Sequence, residues 1–171
     1  MDRPGFPASI LVAFFFVLLL SPACEQGLSP ESLQHPTSRY GIKGTVHFRN
    51  WPPQDSIVDL RVVSFKHLPS QNILDEVLQG RAGFTPRLQP YGADSIAYTL
   101  ILSPIPAGAF AYTAVAQQFG QNVNTDWRAV GLYRTGGDTS GPGSITVPED
   151  SIVTGIDIDV DFQHPPPPPR R

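Results

Sequence analysis

The sequence predicts an all-β domain, a single antiparallel β-sandwich of about seven strands with one short helix, preceded by an N-terminal hydrophobic signal helix. Three observations predict it. Apolar and polar residues alternate over several short runs, the period of a half-buried strand. Nineteen prolines and fifteen glycines are spread between the runs rather than gathered in one block, apart from a proline block at the C-terminal end, so the runs are joined by turns. Only one stretch carries a helical period. An all-β barrel is the other way to close the same pattern.

The chain opens with an apolar run. Ile10 to Leu20 reads ILVAFFFVLLL, with Arg3 before it and Ser21, Pro22, Ala23 and Cys24 after it. A short apolar core with a small-residue exit is the layout of a secretory signal peptide, here residues 1–23. A spanning helix needs about 20 apolar residues. Gly5 to Ala23 nearly supplies that length, so a retained N-terminal anchor is the alternative. Cys24 is the only cysteine, which excludes an intrachain disulfide and leaves its position at the boundary to be explained. The stretch Leu20-Ser21-Pro22-Ala23-Cys24 resembles the bacterial lipoprotein signal, in which a small residue precedes the cysteine that becomes lipidated. In that family a leucine usually stands three residues before the cysteine; here Ser21 does, and Pro22 is unusual. The resemblance implies lipid attachment at Cys24, with acyl chains such as palmitate. Membrane lipid would then be the partner of the N-terminus. The location would be the cell envelope, exported and membrane-anchored on the periplasmic or cell-surface side.

Residues 24–39 form the next segment, the attachment cysteine and a flexible linker. Glu25 to Arg39 reads EQGLSPESLQHPTSR, polar and without a period.

The expected sandwich domain covers residues 40–163. Ile42, Val46 and Phe48 stand at even spacings and share one strand face. Asn50-Trp51-Pro52-Pro53 ends that strand. In Ile57 to Phe65, Val58, Leu60 and Val62 point one way and Asp59 and Arg61 the other, with burial increasing at Val63 and Phe65. The helix lies between Ser70, a cap, and Gly80, a stop; Ile73 with Val77 and Leu74 with Leu78 form its stripe. Arg81 to Asp94 reads as a loop with a short extended piece. Ile96, Tyr98, Leu100 and Leu102 alternate, Pro104 to Gly108 turns, and Phe110, Tyr112, Ala114 and Ala116 alternate again. These two runs predict a hairpin. Further strands are expected at Arg128 to Tyr133, Ser144 to Val147 and Val153 to Phe162. In the last, Ile156, Ile158, Val160 and Phe162 face inward. Residues 164–171, HPPPPPRR, predict a stiff, extended and disordered tail.

The order of these elements resembles the carboxypeptidase regulatory-like, transthyretin-like β-sandwich modules of bacterial surface proteins. The residues that carry the resemblance are Ile42-Lys43-Gly44-Thr45-Val46, Ile105 to Tyr112, Ser144 to Pro148, and Val153 to Ile158. It implies a seven-stranded sandwich that supports, presents or binds rather than catalyses. The helix is an insertion relative to the minimal pattern.

Candidate sites are few. A net charge of -3 is too mild to draw nucleic acid, and no such partner is expected. Asn122, Asn124 and Asp126 alternate like the start of a calcium loop, but Trp127 stands where the turn glycine belongs and Tyr133 where the bidentate glutamate belongs. They are weak metal candidates beside an ordinary polar loop. Asp157, Asp159 and Asp161 share one strand face, either a cation or basic-partner site or a solvated face that discourages edge pairing. His35, His47, His67 and His164 show no ligand spacing. No nucleophile elbow and no phosphate loop occurs. No enzyme and no cofactor is expected. Trp51, Trp127 and Tyr133 lie near turns, as do Tyr91 and Phe119. They either plug the ends of the core or contact a ligand, which makes a carbohydrate-binding module the alternative function. The partner would then be a glycan or a protein.

Overall fold

The computed structural model describes residues 39–69, 73–136 and 141–168. The expected signal segment, Cys24 and all of the linker except Arg39 lie outside them, as do the helix cap Ser70 and residues 169–171.

The described body is mostly β with one short helix. In chain order the strands are β1 (Gly41–Arg49), β2 (Asp59–Phe65), β3 (Ala82–Phe84), β4 (Ser95–Ile101), β5 (Gly108–Phe110), β6 (Tyr112–Gln118), β7 (Trp127–Leu132), β8 (Ile145–Val147), β9 (Ile152–Val153) and β10 (Ile158–Asp161). Helix α1 spans Ile73–Leu78. Eight strands form one sheet in the order β3-β2-β6-β7-β10-β1-β4, with β9 also paired to β1; β5 and β8 form a separate ribbon. The sheet curls until β3 and β4, from opposite ends of that order, touch.

Three features of the described residues depart from expectation. The sheet is mixed rather than antiparallel, because β1 runs parallel to β9 and β10. A parallel pair needs a long connection, and the whole domain between the first strand and the last provides it. The expected hairpin also does not form. β4 pairs with β1, whereas β6 pairs with β2 and β7. Its second run breaks at Ala111, whose N–H donates to the Phe65 carbonyl at 3.0 Å. Phe110 therefore lies in β5 and turns to the main core, and Tyr112 begins β6 on the other side of the sheet. Ten strands replace about seven, because breaks of this kind cut long runs into short pieces.

The main core fills the concave side of the curl. Ile42, Val46 and Phe48 enter it from β1, Leu60 and Val62 from β2, and Ile158 and Val160 from β10, with Ile156 and Phe162 flanking β10. These are the faces that the alternation assigns. β6 is buried along its whole length. Val115 joins the concave core; Tyr112, Ala114 and Ala116 join a second cluster on the convex side with Val63, Phe65 and Ala82. Helix α1 covers part of that cluster through Val77. Gly80, at φ +66°, ends the helix in the left-handed conformation that glycine adopts without strain. Leu78, expected in the apolar stripe, is 74% exposed. At Gly44 a Cβ would stand 2.0 Å from the Ile156 carbonyl oxygen, so only glycine lets β1 pass the segment leading to β10.

Candidate functional site

A cleft of about 300 Å³ opens beside Trp51. One wall is the loop after β1, with a single 3-10 turn at Gln54–Ser56. The other is the segment Arg87 to Tyr91. That segment is held against β2 by the Leu88 N–H, which donates to the Leu60 carbonyl at 2.7 Å. Ile57, Leu60 and Leu88, all buried, supply its apolar lining.

Trp51 fixes this end of the domain. Its ring centroid lies 4.6 Å from Phe48, 4.9 Å from Phe162 and 4.9 Å from Tyr91. Its indole N–H donates to the Ala93 carbonyl at 3.0 Å. The Tyr91 hydroxyl donates to the Pro52 carbonyl and joins the two walls. The 3-10 turn is held from below by Gln117, fully buried in β6. Its Nε2 donates to the Ser56 carbonyl at 2.8 Å, and its Oε1 accepts from Arg128 Nε at 3.0 Å. An apolar strand face would not hold a loop carbonyl; a buried glutamine does, and its own polar atoms are satisfied in return. The polar groups lining the mouth are Gln54, Arg87 and Gln89.

The other aromatic candidates stand elsewhere. Trp127 lines a shallow apolar groove on the convex face with Val63, Val77 and Phe84, and its indole N–H donates to the Val123 carbonyl at 2.9 Å. Tyr133 packs against the main core. Among the described residues Trp51 and Trp127 thus line separate clefts.

In the loop of Asn122, Asn124 and Asp126, the side-chain oxygens of Asn122 and Asp126 are taken up by the loop's own N–H and hydroxyl groups. Asp126 Oδ2 accepts from the Asn122 N–H at 2.9 Å, Asp126 Oδ1 from the Thr125 hydroxyl at 2.9 Å, and Asn122 Oδ1 from the Asn124 N–H at 3.0 Å. This is the Asx-turn chemistry of a closed polar loop. Among the described residues no group of three or more His, Cys, Asp or Glu side chains is arranged to hold a metal ion.

The aspartate row lies on the outer face of β10 and the turn before it, as its spacing predicts. Asp157 Oδ1 accepts from the Thr45 N–H at 2.8 Å. Asp161 accepts from Asn50 Nδ2 at 2.8 Å and from the Gln163 N–H at 3.0 Å, with His164 Nδ1 at 3.1 Å. The Asn50 and His164 hydrogen bonds pull the Asp161 pKa down to about 2. Arg49 and Arg134 line the same groove, which offsets the repulsion along the row. His47 is exposed.

Sequence reasoning missed Gln54, Arg87 and Gln89. They sit in segments with no period, and only the neighbouring Trp-Pro-Pro and Pro-Tyr-Gly turns mark the place. No known protein-family model matches the chain, and no curated protein or solved structure is detectably similar to it.

Proposed function

We propose that the chain is an exported lipoprotein, processed and lipidated at Cys24, whose β domain is a non-catalytic binding or structural module of the cell envelope. The observation that carries this reading is the apolar run Ile10 to Leu20, closed by Ser-Pro-Ala-Cys and followed by a polar linker. Strand β1 begins at Gly41, so about 15 residues separate the β body from the cysteine, a length that would hold it clear of a bilayer surface. Acyl chains at Cys24 contribute about 0.8 kcal/mol per buried CH₂, which anchors a domain that need not touch the membrane itself.

We read the β body as a sandwich of the carboxypeptidase regulatory-like kind. Its pairing supports this. The strands β3-β2-β6-β7 and the strands β10-β1-β4 are joined through a single residue pair, Gly131 with Val160. On this reading the curled sheet is two layers hinged at that pair, with the main core between them. Loops at the ends of such a sandwich are where binding groups are displayed.

Fractionation of a bacterial host tests the reading. The full chain should be found in the membrane fraction, and Cys24→Ala should release it or leave it unprocessed. Cytoplasmic full-length chain overturns export. A membrane-bound wild-type chain that keeps its full length, with Cys24→Ala behaving the same, overturns lipid anchoring and favours a retained helix.

A further inference from the structure

We propose that the cleft beside Trp51 binds an acidic saccharide, a uronic acid unit of a polysaccharide. This rests on the reading of the domain as a binding module, and adds its site and ligand class. The cleft volume, about 300 Å³, stands at the lower end of the range for small-molecule sites, suited to a ligand that enters as a short unit of a longer chain.

The lining offers three kinds of contact in one place. The first is aromatic. Tyr91 is 40% exposed and stands edge-on to Trp51 at 4.9 Å, an amphipathic surface for the C–H face of a pyranose ring. Its hydroxyl and the Trp51 indole N–H are already spent on Pro52 and Ala93, so the rings keep their position without a ligand.

The second is amide. Gln54 on one wall and Gln89 on the other line the cleft, and neither side chain makes a hydrogen bond among the described residues. Each amide offers two donors and two acceptor lone pairs. Sugar hydroxyls need both, because each donates and accepts.

The third is charge. Arg87 lines the cleft, and among the described residues its side chain makes one hydrogen bond, a long one of 3.4 Å from Nη2 to the Ile57 carbonyl. Among the described residues no carboxylate lines the cleft. Most of the guanidinium fork is therefore free for a carboxylate, the partner it pairs with in bidentate geometry. A neutral sugar would leave that fork unused. A short acidic peptide would match the charge and the amides, and the exposed Tyr91 ring beside them is the contact that favours a pyranose C–H face.

Pre-organisation strengthens the argument. Gln117 pins Ser56 from the core, and Leu60 pins Leu88, so both walls are set by β2 and β6 rather than by the ligand.

Calorimetric titration of the full-length chain in detergent with galacturonate disaccharide, the matching neutral disaccharide and an oligoglutamate peptide tests the proposal. Saturable binding of the acidic disaccharide is expected, weakened about tenfold by Arg87→Gln, the loss expected for one charge-assisted hydrogen bond. Gln89→Ala should weaken it as well. Backbone chemical shifts of Gln54 and Tyr91 should move with the same ligand in the unsubstituted chain. Absence of saturable binding overturns the proposal, as does binding indifferent to both substitutions. Equal binding of the neutral disaccharide removes the acidic class, and equal binding of the peptide removes the saccharide. The Cys24→Ala chain should bind as the wild type does, so a failed anchor and a failed cleft are read separately.

Discussion

Ser64 and Thr113 face each other across β2 and β6, both fully buried, with their hydroxyl oxygens 2.8 Å apart. The pair is a polar island in an apolar sheet, tolerated because each hydroxyl satisfies the other. Thr113→Val should cost about 1–3 kcal/mol, the price of a stranded buried hydroxyl. Adding Ser64→Ala should recover much of that loss in denaturant melts. A double variant as unstable as the sum of the singles would show that the pair is not coupled. Asp161 makes a pH-dependent contribution on the surface. Its pKa in the fold is about 2, below the ordinary 3.8, chiefly through the hydrogen bond from Asn50 and then that from His164. The folded value is depressed, so the stabilisation is present above pH 3.8 and lost as pH falls through 2. Carbon-detected titration of the Asp161 carboxyl should show a midpoint near 2, moving upward in Asn50→Ala. A wild-type midpoint at or above 3.8 contradicts the assigned hydrogen bonds. Tyr112 lies at the other extreme, where burial raises its hydroxyl pKa to about 12.

At the level of elements, α1 is the weakest part of the described body. A helix this short cannot stand alone. It leans on the convex cluster through Val77, and the ion pair between Arg81 Nε and the buried Glu76 carboxylate at 2.8 Å ties its end to the start of β3. Amide exchange in α1 should be faster than in β1 and β6, and faster again in Arg81→Ala, with little change in the sheet. Equal protection across helix and sheet would contradict this ranking. The same elements show what was legible in the sequence. The inward faces of β1, β2 and β10 were legible, because alternation between one core and solvent leaves a period of two. Strand partners were not. The runs at Ile96 and Tyr112 look like a hairpin locally, but β6 is buried on both faces and takes β2 and β7 as neighbours. Nor was the irregular pairing of β6 with β7 visible, where the register shifts between Val115 and Ala116 and Val130 turns to the core while Ala129 stays on the convex side.

On the scale of the whole molecule, the candidate site was legible only in part. Trp51 was marked by its turn, whereas Gln54, Arg87 and Gln89 become a site only when two aperiodic segments are brought together by β2. The proposed biology divides the chain in the same way. The cleft and its supports belong to the described β body, whereas the proposed location rests on residues 1–24. Ser21 and Pro22 depart from the usual lipoprotein pattern, so Cys24 carries the whole claim of anchoring. The most direct measurement is the intact mass of the protein extracted from host membranes. The account predicts a chain that begins at Cys24, with the added mass of acyl groups on that residue and incorporation of labelled palmitate. A chain that retains Met1, or one that begins elsewhere and carries no lipid, would contradict it.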